Sequence, residues 1–300
     1  MSALLSPLVT AYSYALEPIA PFTWFGVGIS TLDVMAAARL CLALRQMREA
    51  LYREHIRKHG SPVGVEHDKS FVRDIATTLT VVYGGEAMTG PMLGLPPSFM
   101  VSGVVPLMYA AMQWGADALP AVPAPFRELE MPLSILDGFS RAFLLCNLIP
   151  PTVTANARAA LSTSAWTLLL TSFITANGGF FLTNMFSFLN PTPLALQTPP
   201  ELRAYGWTTM DLWCAPLVTG LYALMTHAQP FWADAHGILA GLLGAGSAEK
   251  PVAAVDAETA RAACALLLMV MFSVRTAKNF APTKAEAKAV DKAKTGFKTQ

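Results

Sequence analysis

Glu86 directly follows a diglycine, Gly84-Gly85, inside a long apolar stretch, and a second diglycine, Gly178-Gly179, lies inside another. Each pair is followed at the same spacing by a threonine, Thr89 and Thr183. Glycine lets a helix bend or lets a neighbouring backbone come close, and a carboxylate beside loosened carbonyls attracts a cation. For one pair alone helix packing is the simpler reading, and Gly90-x-x-x-Gly94 is itself a packing pattern. The matched recurrence points further, to two equivalent helices bent beside a pathway for ions or solutes. A protonated, buried Glu86 is an equal alternative to a cation-attracting one.

Charged residues inside apolar stretches form a second class: Asp33, Arg39, Glu86, Asp117, Asp137, Arg141, Asp211, Arg275 and Lys278. Each is costly at membrane depth unless paired or hydrated. Asp117, Lys278 and Arg39 lie near segment ends, where pairing or snorkelling suffices. Glu86, Asp137, Arg141 and Arg275 are the better candidates for lining a wet cavity. His55 and His59 share a helical face beside Glu54, but Ile56 stands where the zinc-hydrolase pattern needs its glutamate, so both read as surface residues. No catalytic serine elbow, phosphate loop, dinucleotide fingerprint or Cys/His cluster occurs, and no enzyme activity or metal site is expected. Cys41, Cys146, Cys214 and Cys264 lie in separate apolar segments and read as buried small side chains.

These residues sit in a chain of 300 residues that is 53% hydrophobic and only 14% charged, with a mean hydropathy of +0.43. That composition describes an integral membrane protein. A net charge of +1 excludes nucleic-acid binding driven by overall charge. The first basic residue is Arg39, so the N-terminus lacks the basic region of a targeting peptide and is expected to stay in the mature protein.

Apolar windows of about 20 residues fall at 22–44, 71–94, 98–121, 132–154, 162–189, 207–227 and 259–280. The expected fold is therefore an all-α membrane protein with seven transmembrane helices. In the last window Arg261 and Arg275 are expected to snorkel toward opposite interfaces. Residues 1–21 form a non-cytoplasmic N-terminal segment. The connection 45–70, with Arg45, Arg48, Arg53, Arg57, Lys58 and Lys69, and the tail 281–300, with Lys284, Lys288, Lys292, Lys294 and Lys298, are both basic and should be cytoplasmic. An odd number of spans places them on one side.

Residues 22–121 and 132–227 read as two copies of one three-helix unit. Ser30-Thr31-Leu32-Asp33 aligns with Ser134-Ile135-Leu136-Asp137, each followed by an arginine, Arg39 or Arg141. The aspartates are 137 − 33 = 104 positions apart and the diglycines 178 − 84 = 94, an offset that the basic connection absorbs. Three spans per copy invert the second copy, giving an inverted 3+3 repeat plus a C-terminal helix.

Tyr83-Gly84-Gly85 followed by Leu95-Pro96-Pro97, and Gly178-Gly179-Phe180-Phe181-Leu182-Thr183-Asn184, resemble the second and fifth helices of the trimeric intracellular cation (TRIC) channels, over roughly residues 25–280. The resemblance implies a homotrimer in the endoplasmic reticulum membrane, with the C-terminus cytoplasmic and one potassium pathway through each subunit. The current would balance charge during calcium release. It also implies that Gly84, Gly85, Gly178 and Gly179 kink their helices beside the pore and that Arg275 has a regulatory role. Animal members bind an inositol lipid through a Lys-Glu pair in the fourth helix, where this chain reads Gly138-Phe139-Ser140-Arg141. Arg141 is the candidate lipid ligand here, displaced by one residue, or about 100° around a helix. The implied partners are the chain itself, membrane lipids including an anionic phospholipid, and potassium ions. A proton-coupled secondary transporter, with Glu86 or Asp137 carrying the proton, fits the same repeat, and a scaffold in which glycines pack and charges pair is a third reading.

Overall fold

The computed structural model describes residues 2–19, 28–60, 70–192, 194–203, 210–243 and 252–281. Among them the chain is helical, and its one β-type contact is an isolated bridge between Pro18 and Ser30. In chain order the helices are α1 (Ser2–Ala15), α2 (Thr31–His59), α3 (Phe71–Leu93), α4 (Ser98–Val101), α5 (Val104–Ala118), α6 (Arg127–Phe143), α7 (Ile149–Thr154), α8 (Ala159–Ser162), α9 (Ala165–Met185), α10 (Met210–Thr226), α11 (Pro230–Leu242) and α12 (Ala257–Asn279). A π turn, Leu144–Leu148, joins α6 to α7. Among the described residues, three helical stretches are long and apolar enough to cross a membrane: Arg127–Thr154, Ala165–Met185 and Ala257–Asn279.

Local chemistry sets the boundaries. The Ser30 side chain accepts the Asp33 N–H while Asp33 reaches back to the Ser30 N–H, a reciprocal cap that starts α2. Gly60 ends it at φ 65°, a left-handed conformation that glycine enters without steric cost. Ser70, Ser164 and Asp256 cap α3, α9 and α12 through their side-chain oxygens. The aligned Ser134 and Asp137 are interior to α6, which begins at Arg127. The two copies of this pattern therefore do different work.

Partner order along the helices fixes their directions. Arg45 and Gln46 of α2 bond carbonyls of Ala116, Leu119 and Pro123 while Cys41 meets the Tyr109 carbonyl, so α2 and α5 run parallel. Thr78 with Gln113 and Glu86 with Ser98 make α3 antiparallel to both. Ser172 with Thr219 and Asn177 with the Leu212 carbonyl oppose α9 to α10, and Ser134 with Ser273 and Gly138 against Met269 oppose α6 to α12. The main core joins α1, α6, the π turn, α10 and α12 around Tyr12, Leu145, Val218 and Leu268.

Several expected boundaries shift. The basic residues from Arg45 to Lys58 belong to α2, which continues to His59 instead of yielding to a loop. The pairs Arg45–Glu49, Glu49–Arg53 and Glu54–Lys58, each four apart, support that extension. His55 and His59 stack on its last turns at 4.4 Å. The span 98–121 breaks at Ser102-Gly103. Gly94 is the left-handed cap of α3 and Gly90 packs on the carbonyl of Leu95, so this pair shapes a turn and not a helix contact. α1 and α11 were not expected as helices. Residues 22–27, Lys69, 207–209 and the tail from 282, with its five lysines, lie outside the described residues.

Candidate functional site

The diglycines meet each other. A Cβ on Gly84 would lie 2.9 Å from Gly179 Cα, and one on Gly178 would lie 2.9 Å from Gly85 Cα. Gly85 is pressed against the Thr175 carbonyl and Gly179 against the Val81 carbonyl, each too closely for a side chain. The relation is reciprocal: each outer glycine faces the residue four before its counterpart. α3 and α9 run unbroken through the crossing. Thr89 bonds the Gly85 carbonyl and the Thr175 hydroxyl at 3.1 and 2.9 Å. The place equivalent to Thr175 is Val81, and the buried Thr183 hydroxyl accordingly has no hydrogen-bond partner among the described residues.

Glu86 lies one residue beyond this crossing, where its carboxylate accepts the Ser98 N–H and hydroxyl, both at 2.7 Å. It caps α4 from across the turn and so fixes the Leu95-Pro96-Pro97 connection.

The remaining candidates gather on α6 and its neighbours. Arg39 of α2 reaches Glu130 at 2.9 Å and Asp137 at 3.3 Å, two carboxylates seven residues apart on one face of α6. Arg275 of α12 donates from Nη1 to both carboxylate oxygens of Asp211 in α10 and stacks over Phe272 at 4.5 Å. Pro125, Glu130, Asp211, Arg275, Thr276, Asn279 and Phe280 line a cavity of about 400 Å³. Charged residues from three helices, Glu130 of α6, Asp211 of α10 and Arg275 of α12, thus line one cavity. Arg141 stands deeper on α6, where it donates to Asn177 of α9 at 3.5 Å while its Nε has no hydrogen-bond partner among the described residues.

Glu86, Asp137, Arg141 and Arg275 were expected to line a cavity. Arg275 lines one, whereas Asp137 is tied to Arg39. The diglycines and Glu86 form a separate place along α3. Glu130 was missed, and although Asp211 stood among the charged candidates, its pairing with Arg275 across 64 positions leaves no spacing signal. Gly138 was missed too: its Cβ would come 2.6 Å from the Met269 nitrogen, so α12 lies directly on α6 there.

Away from the cavity, Arg48 bridges Asp74 and Asp117, and the fully buried Gln113 links Thr78 to Asp117 at 2.7 and 2.9 Å. Arg261 departs from expectation. It is only 6% exposed and lies over the Tyr12 ring at 4.6 Å, because α1 covers the groove into which it would otherwise snorkel. All four cysteines are buried and free.

The helices that carry the cavity leave its mouth beside the ends of α2, α5 and α12 and the starts of α3, α6 and α10, where Arg48, Arg53, Arg57, Lys58, Arg73, Arg127 and Lys278 also lie. Comparison of the chain with protein-family models, with curated proteins and with solved structures finds no match.

Proposed function

We propose that this chain is a membrane-embedded cation channel of the TRIC type, with seven spans arranged as an inverted 3+3 repeat plus a C-terminal helix. The observation that carries the reading is the cavity between α6, α10 and α12, which Glu130, Asp211 and Arg275 line together. Carboxylates at the mouth of a pathway concentrate cations, and a paired arginine sets how much of that charge is free. The alternating helix directions and the reciprocal diglycine crossing are what two inverted copies would produce.

The basic end of the bundle faces the cytoplasm on the positive-inside rule, which turns the cavity toward that side and the C-terminus with it. Potassium, the homotrimer, the endoplasmic reticulum and counter-ion flow during calcium release rest on the resemblance carried by the diglycine motifs. Gly84, Gly85, Gly178 and Gly179 set the α3/α9 crossing beside the pathway. On the same resemblance, Arg141 is the residue proposed for an anionic phospholipid and Arg275 the one proposed for regulation.

Single-channel recording of the purified protein in planar bilayers under a potassium gradient tests the proposal. Discrete cation-selective openings, lost in a Gly85→Leu, Gly179→Leu variant, are expected. Silence from folded protein overturns it and favours the proton-coupled transporter, for which a cavity carrying both signs of charge and open at one end is equally apt.

A further inference from the structure

The π turn between α6 and α7 has a cause in the sequence. In an α-helix the Leu145 carbonyl would accept the Ile149 N–H, but Ile149 donates one residue further back, to Leu144. In the wider π register the donor to Leu145 would be residue 150, which is proline and has no N–H. Pro150 and Pro151 likewise deny the Cys146 carbonyl a helical donor in either register. Leu145 is fully buried, so its orphaned carbonyl needs another partner.

Thr219 of α10 supplies it. The hydroxyl is fully buried, donates to the Leu145 carbonyl at 3.1 Å, and is held at 2.7 Å by Ser172 of α9. A threonine on α10 and a serine on α9 thus replace the hydrogen bond that the prolines remove. Each extra residue in a helical turn rotates the helix before it by about 100° against the helix after it. The half that precedes this turn carries Glu130, Asp137 and Arg141.

We infer that Thr219 is a positioning residue: its bond to the Leu145 carbonyl latches the π turn and sets the rotation of the charged half of α6 against α10 and α12. π turns concentrate at functional sites because they are places where a helix can change register. Losing the latch lets the turn migrate, which moves Glu130 relative to the Asp211–Arg275 pair. The effect on conduction rests on the channel reading above; the latch itself does not.

Thermal unfolding of the purified full-length chain, in a cycle of Thr219→Val and Pro150→Ala, separates the two. Thr219→Val lowers the melting temperature by roughly 2–8 °C, and Thr219→Ser, which keeps the hydroxyl, does not. Pro150→Ala restores a backbone donor, so Thr219→Val in that background has little further effect. Equal losses in both backgrounds overturn the latch and make Thr219 a packing residue. If Thr219→Val alone does not fold, a folded Thr219→Val, Pro150→Ala protein upholds the latch and an unfolded one overturns it. In bilayers, Thr219→Val shifts open probability several-fold while Thr219→Ser matches the parent. Unchanged gating, with the stability cycle intact, confines the latch to structure, and silence of the parent protein removes the channel reading only.

Discussion

Gly85 and Gly179 hold equivalent places on two antiparallel helices, each lying on the carbonyl four residues before the other, Thr175 for Gly85 and Val81 for Gly179. Backbone, not a flexible side-chain end, fills the space a Cβ would take. Gly85→Ala or Gly179→Ala should therefore destabilise the protein by about 2–3 kcal/mol, at the upper end of overpacking costs. The double variant should cost less than the sum, because the first substitution already parts the helices. Denaturation of purified protein measures both; an additive double variant would show that the sites are independent.

Arg39 holds Glu130 and Asp137 together on α6, and these side chains are 12%, 14% and 30% exposed. Arg39→Met leaves two carboxylates facing each other without a cation, at a cost of about 3 kcal/mol. A Glu130→Gln change in the same background should recover part of that loss. No recovery would mean that Arg39 acts through packing of its stem.

At the cavity the pair is more open, with Asp211 44% exposed, so Arg275→Gln should cost stability about 1 kcal/mol or less. Its electrostatic effect should be larger than its structural one. Freed from the guanidinium, Asp211 raises the preference for cations over anions, and Asp211→Asn lowers it. Reversal potentials under a salt gradient read both, and identical selectivity in the two variants would exclude this cavity from the pathway.

Asp256 caps α12 by accepting the Thr259 N–H at 2.8 Å, and that bond holds its carboxyl below the usual range. A lowered folded-state value means that the cap contributes above the ordinary carboxylate range and is lost as pH falls through the lowered one. The difference in melting temperature between the parent protein and Asp256→Ala should accordingly be present at neutral pH and shrink in acid. A difference that grows in acid would contradict the assignment.

Sequence patterning revealed the elements whose apolar length is unambiguous. The segments around α3, α9 and α12 agree with the helices to within a few residues, and the diglycine match pointed to two helices that turn out to touch. α1 and α11 escaped because 14 and 13 residues fall short of a span. Charge alone suggested an end to α2 at Arg45, although Arg45 and Gln46 are buried against the end of α5. The cavity was legible only through Arg275. Its partners come from α6 and α10, and tertiary pairing of that kind has no periodicity to read. Pro150-Pro151 is a visible signal of the π turn: two adjacent residues without N–H groups inside an apolar helix announce orphaned carbonyls.

The α3/α9 crossing also has a history in time. The two diglycines are 94 positions apart, and at usual rates of synthesis α3 leaves the ribosome about 5–20 s before α9. During that interval the groove at Gly84 and Gly85 has no occupant. The groove takes a helix that brings a matching diglycine, as α9 does, and α5 and α6, made in between, each carry one glycine and no adjacent pair. The order of assembly is thus written into four missing side chains.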